Sequence, residues 1–183
     1  MRLCATFIFA LILALPPAAG SARAADTQPT EYQLKAAYIY HFAQFIDWPA
    51  SAFPAGDSPL IIGVLGDNPF GADLEHTIQG KVLNNHPLTF QKFASIAEVT
   101  NNCHILFISS SEKKRLPEIF TTLKGTSILT VGEESDHFNE NGGMISFVLD
   151  GTKIRFQINQ TTVEKAGLKI SFKLLSLASK VTH

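Results

Sequence analysis

Apolar residues in this chain follow two alternating patterns: repeats spaced by three and four, and unbroken runs of strand length. Leu34, Ala37, Tyr38, Phe42, Phe45 and Ile46 recur at helical spacing, which predicts a helix from about 31 to 46 with these residues on its inner face. Thr30, with Gln33 three residues later, is an N-cap pattern, and Asp47-Trp48-Pro49 ends the helix. Leu60-Ile61-Ile62-Gly63-Val64-Leu65 is the continuous apolar run of a strand covered on both faces. Gly66-Asp67-Asn68-Pro69 turns the chain into a helix over about 69–78. Val82-Leu83 and 88–93 read as short strands around an Asn84-Asn85 turn, followed by a brief helical segment near 96–99.

The alternation then repeats. A second buried strand is expected at 105–108, a helix capped by Ser109-Ser110-Ser111 over about 112–123, and a third buried strand at 127–131. After a helical turn around 135–138, strands at 144–149 and 153–158 form a hairpin through Asp150-Gly151, both turn residues taking positive φ. Ile154, Phe156 and Ile158 alternate with Lys153, Arg155 and Gln157, so this strand has one wet face and lies at or near an edge. Helices over 161–167 and 171–181 close the chain, with Leu174, Leu175, Leu177 and Ala178 packed inward. The fold class is α/β: a single Rossmann-like three-layer domain, a mostly parallel sheet with helices on both faces and a C-terminal antiparallel hairpin.

The N-terminal stretch stands apart. Met1-Arg2, an apolar run from Leu3 to Leu15, Pro16-Pro17 and then Ala22-Arg23-Ala24 read as a cleavable signal peptide over residues 1–24, too short to span a bilayer. The mature chain runs from Ala25 to His183, with a flexible tail at 25–30 and one α/β domain at 31–183. Taking Arg2 and Arg23 from the 15 basic residues leaves 13 against 16 acidic ones, a net charge of −3 with histidines neutral. That balance, with only the brief run Lys113-Lys114-Arg115, argues against a nucleic-acid partner. Cys103 is the one cysteine of the mature chain, so no internal disulfide can form, and its place at the head of an apolar run reads as burial.

Candidate chemistry is sparse, and the sequence reads as non-enzymatic. There is no Gly-x-Ser-x-Gly elbow, and Ser109-Ser110-Ser111 is accounted for as a cap. Gly63-Val64-Leu65-Gly66-Asp67-Asn68 is not the spaced glycine fingerprint of a dinucleotide site. No cofactor is expected. Asp67, Asn68, Ser109, Ser110 and Glu133 do follow strands and should converge on the carboxyl-edge crevice where open α/β sheets bind ligands. Glu133, Glu134, Asp136 and His137 form a small acidic group that reads as a solvated loop rather than a metal site. The aromatic residues of the first helix and the loop after it exceed what one helical face can bury. Tyr32, Tyr40, Trp48 and Phe53 are therefore candidate partner contacts.

Several segments together resemble the YfiR-like family. They are 35–40, 42–49, Gly66-Asp67-Asn68-Pro69-Phe70-Gly71, Cys103-His104-Ile105-Leu106-Phe107-Ile108-Ser109, the stretch from Gly142 to Asn159, and Ala166-Gly167-Leu168-Lys169-Ile170-Ser171 with Lys173-Leu174-Leu175. The resemblance implies a periplasmic repressor that binds the periplasmic part of an inner-membrane diguanylate cyclase, or beside another sensor such as a histidine kinase. It further implies a homodimer, release by an outer-membrane lipoprotein, and effects on cyclic-di-GMP and biofilm formation. Family members respond to redox state through disulfides. With Cys103 alone, this chain has no intramolecular version of that switch.

Overall fold

Thr30 opens the first helix with a reciprocal capping box. Its hydroxyl accepts the Gln33 N–H at 3.3 Å, and the Gln33 amide oxygen accepts the Thr30 N–H at 2.9 Å. The computed structural model describes residues 29–99, 103–134 and 137–183. The expected signal peptide, most of the 25–30 tail, and Ser135 and Asp136 of the acidic loop lie outside these residues. Helix α1 spans Glu31–Phe45 and buries Lys35, Ala36, Ile39, Phe42 and Ala43. This stripe is rotated from the expected one: Leu34 is exposed, and Ala37, Tyr38 and Phe45 are only half-buried. The rotation has a physical cause, because Lys35 lies in register with Ile39 and Phe42 and its charge is met inside the fold by carboxylates.

The remaining elements are β1 (Ile46–Asp47), β2 (Leu60–Leu65), α2 (Asp73–Ile78), β3 (Val82–Leu83), β4 (His86–Phe93), β5 (Cys103–Ile108) and α3 (Leu116–Thr122), then β6 (Leu129–Glu133) and β7 (Ile145–Asp150). They are followed by β8 (Lys153–Asn159), α4 (Gln160–Lys165), β9 (Lys169–Ile170), α5 (Phe172–Leu177) and β10 (Lys180–Thr182). The main sheet runs β10-β8-β7-β6-β5-β2-β4-β3. Strands β4, β2, β5, β6 and β7 are mutually parallel, while β7–β8 and β3–β4 pair antiparallel. β1 and β9 form a separate antiparallel pair that ties the end of α1 to the C-terminal region.

Strand alternation divides the core between the two faces of the sheet. Ile105 and Phe107 of β5 pack with Phe42 of α1, Leu74 of α2, Val163 of α4 and Leu174 of α5. Leu106 and Ile108 pack on the other side with Leu116 and Ile119 of α3. β5 is buried along its whole length, as its unbroken apolar run predicts. Among the described residues between β6 and β7 there is no α-helix, and Phe138 from this connection plugs the second face. A Cβ on Gly132 or Gly143 would lie 2.3 Å or 2.1 Å from the Phe138 ring, so both positions are glycine by necessity of close approach.

Four expected details change. The chain after β5 first makes a 3-10 turn (Ser110–Arg115), and the α-helix begins only at Leu116, because Pro117 has no N–H to bond backward and is tolerated only in a first turn. The helix expected from residue 69 starts at Asp73, after an Asn68 turn in which its Oδ1 accepts the Phe70 N–H and its Nδ2 donates to the Gly71 carbonyl. The β7–β8 loop is Gly151-Thr152, with positive φ at Gly151 alone, whereas both residues of the Asn84-Asn85 loop have positive φ, 48° and 70°. The helix expected over 171–181 ends at Leu177, leaving Leu177 58% exposed, and the chain then becomes β10. There the unpaired outer edge of β8 takes a parallel partner, and the Ser179 N–H and hydroxyl both donate to the Phe156 carbonyl.

Candidate functional site

The carboxyl end of the sheet holds a crevice of about 560 Å³ between the first turn of α1 and the ends of β6 and β7. Ser110 and Glu133 line it, together with Glu31, Tyr32 and Lys35, and Leu149, which is 61% exposed, stands at its wall. Asp67, Asn68 and Ser109 do not reach it. The Asp67 N–H donates to Ser111 Oγ at 3.0 Å, Asn68 folds its own turn, and Ser109 caps the 3-10 turn. Gly66, at φ 84°, permits this tight crossing, since a Cβ there would meet Ser111 Oγ at 2.5 Å.

Lys35 dominates the crevice chemically. Its ammonium donates to both Glu133 oxygens, at 2.8 and 2.9 Å, and to Glu31 one turn earlier. The Tyr32 ring lies 4.7 Å from the same nitrogen. Burial works against the charged form of Lys35, but the hydrogen bonds to Glu133 and Glu31 outweigh it and hold the group above the ordinary lysine value. Burial and the nearby Glu133 push the Tyr32 phenol up, against the opposing pull of Lys35. Sequence reasoning placed Tyr32 among partner contacts and gave Lys35 no role. The available signal was a lysine at helical spacing from Ile39 and Phe42.

The amino end of the sheet carries an aromatic pocket of about 270 Å³ at the starts of β2 and β4. A bulge sets it up. Ile61 pairs with Cys103 but Ile62 with Ile105, so β5 has one extra residue there, and His104 Nδ1 accepts the Ile61 N–H at 3.1 Å. Phe53 stacks between His86 at 3.8 Å and His104 at 4.4 Å, and Trp48 meets His104 edge-on at 6.0 Å. The His86 Nδ1–H donates to the Ser58 carbonyl at 2.7 Å. Trp48 Nε1 is buried without a hydrogen-bond partner among the described residues. Tyr40 packs beneath Lys81, 4.4 Å from its ring, next to the β3 edge where Val82 is 59% exposed. The structure thus gathers Tyr40, Trp48 and Phe53 at one end of the sheet and puts Tyr32 at the other.

Cys103 lies inside the second core cluster, and its thiol donates to the Ile105 carbonyl at 3.4 Å. Burial pushes it up to about 12, against a weaker opposing hydrogen bond from the Gly63 backbone. The thiol thus stays protonated at neutral pH, which depletes the nucleophilic thiolate. The folded mature protein is therefore expected to resist Ellman's reagent and to show no Cys103-dependent dimer band on a non-reducing gel. Rapid labelling without denaturant would contradict this placement. Among the described residues no three metal-ligating side chains come together. Glu134 accepts from Ser146 Oγ at 2.7 Å, and His137 lies on the surface beside Glu140. No described helix is long and apolar enough to cross a membrane.

The fold defined by these elements is a three-layer α/β domain with a lined depression at each end of a doubly covered parallel sheet. Residues 32–179 match the family model described as YfiR/HmsC-like, and the chain belongs to that family. It is a regulatory family, periplasmic and tied to cyclic-di-GMP signalling. Among solved structures, a conserved domain protein from Vibrio cholerae O1 biovar El Tor is similar at 13% identity and TM-score 0.52, over 83% of this chain and 60% of that one. An ABC domain from Streptococcus pneumonia, crystallised in complex with L-Trp, is similar at 15% identity and TM-score 0.48, over 67% and 55%. The Vibrio likeness concerns the fold alone, and this chain covers less than two thirds of either structure. No curated protein sequence matches it significantly.

Proposed function

We propose that the mature protein is a non-catalytic periplasmic regulator. It binds the periplasmic part of an inner-membrane signalling protein, a diguanylate cyclase, and represses it, which lowers cyclic-di-GMP and biofilm formation. The family match carries this reading, because it runs from the first turn of α1 to the residue before β10. An outer-membrane lipoprotein that draws the regulator away, and a homodimeric state, belong to the same proposal. The competing reading, a small-molecule receptor using the carboxyl-end crevice, is weakened by Lys35, since Glu31 and Glu133 already neutralise the cation that would draw an anionic ligand there.

The partner surface we assign is the end of the sheet that holds Tyr40, Trp48 and Phe53, beside the exposed Val82. Trp48 and Phe53 leave part of their rings half-buried at this end, and such aromatic side chains are the type that anchors interfaces. Trp48→Ala and Val82→Glu are each expected to weaken capture of the cyclase by at least about tenfold, the scale of an interface anchor. Val82 is a surface side chain on an edge strand, so Val82→Glu should leave the melting temperature unchanged. Unaltered binding by both variants would rule this surface out.

A further inference from the structure

We infer that a third depression, at the amino ends of β6 and β7, binds a small carboxylate with a compact apolar body. This goes beyond the regulatory reading and does not rest on it. The pocket has a volume of about 450 Å³ and lies between the C-terminal end of α3 and helix α4, within the range of small-molecule sites. Its walls are Phe120, Leu123, Ile128, Met144 and Ala166, an apolar surface that water wets poorly.

The charged groups on this pocket are both cations. Lys124 and Lys165 are exposed on its lining, and no described carboxylate pairs with either. Thr130, 2% exposed, accepts the Met144 N–H at 3.1 Å, so its own hydroxyl proton is left to give, and no acceptor for it occurs among the described residues. No aspartate or glutamate lines the pocket. The carboxyl-end crevice has the opposite character, with Glu31, Glu133 and Glu134 around one lysine. An amphipathic anion therefore has one favourable destination among these depressions: its body against Phe120 and Met144, its carboxylate between two lysines.

The test uses the full mature chain, 3-phenylpropionate as probe, and 3-phenylpropylamine and 3-phenylpropan-1-ol as charge controls, followed by amide NMR titration and calorimetry. The expected result is saturable binding of the carboxylate, with shifts confined to 120–130, 142–144 and 162–167. The double variant Lys124→Glu/Lys165→Glu, altered only at exposed positions, should lose affinity by at least roughly tenfold while keeping the wild-type spectrum. Ala166→Phe, which fills the pocket, should abolish binding. If that variant unfolds, the lysine pair alone decides. Equal affinity for the amine or the alcohol, shifts centred on Lys35 or Trp48, or no binding would each overturn the assignment.

Discussion

Replacing Lys35 with alanine should lower the unfolding free energy by about 3–5 kcal/mol, the cost of breaking a buried ion pair by removing one partner. Lys35 is 2% exposed, and Glu133, which holds it with two hydrogen bonds, has a side chain only 15% exposed. Truncation takes from the buried Glu133 carboxylate the two hydrogen bonds that Lys35 donates, which is the larger part of the loss. Glu31, whose side chain is 44% exposed, contributes little because water screens it. Pairing and packing separate in the double variant: Lys35→Met/Glu133→Leu, which removes both charges and keeps the volume, should come within about 1 kcal/mol of wild type. The pH dependence follows from the raised value of Lys35. The contribution is fully present below the unfolded lysine value near 10.5 and is lost as pH rises through the folded one. The gap between wild type and Lys35→Ala should hold from neutral pH to about 10 and close only in stronger alkali. Denaturant titration across that range checks both statements. A gap that closes near pH 8 would show that the pair does not hold the helix.

Phe42→Ala should cost a similar amount, about 3–5 kcal/mol, for a different reason. Phe42 is fully buried and joins an aromatic cluster under α1, with ring centroids 5.1 Å from Phe156 and 5.8 Å from Phe147. Those rings come from β7 and β8, so the cavity left by truncation would lie between the helix and the antiparallel hairpin, where a rigid sheet can collapse only partly. Phe42→Leu, which keeps most of the volume, should lose less than half as much. Equilibrium unfolding measures both variants. A loss under about 1 kcal/mol for Phe42→Ala would mean that α1 is not anchored through this ring.

These two side chains also show how far the sequence could be read. Unbroken apolar runs identified β2, β5 and β6, because a strand covered on both faces leaves a signature that few other elements share. The Thr30 cap was legible for the same kind of reason, since a local hydrogen bond needs only local sequence. The face of α1 was not legible. A periodicity rule discards a charged position, and only the distant Glu133 makes Lys35 an interior residue. The same limit hid β10. Nothing local in 171–181 announces a strand; it forms because β8 has an edge to cover, which is a fact of the sheet and not of the segment. For the candidate site, the strand-end rule put five residues at this end of the sheet, of which Ser110 and Glu133 line the crevice. It could not foresee that Asp67, Asn68 and Ser109 would be consumed by turns and caps. Aromatic excess pointed to Trp48 and Phe53, but their stacking on His86 and His104 depends on a bulge in β5 that no spacing reveals. The two lysines of the third pocket stand 41 positions apart, on different elements, beyond any motif.

Under the proposed function the protein acts from the periplasm to repress a membrane cyclase. The most direct test is the cyclic-di-GMP content of cells that carry the partner cyclase, measured with the gene deleted, restored, and restored without residues 1–24. Repression from the periplasm predicts a severalfold rise on deletion, reversal by the full-length gene, and no reversal by the form that cannot be exported. Cyclic-di-GMP that stays level on deletion, or that is restored equally by the unexported form, would contradict it.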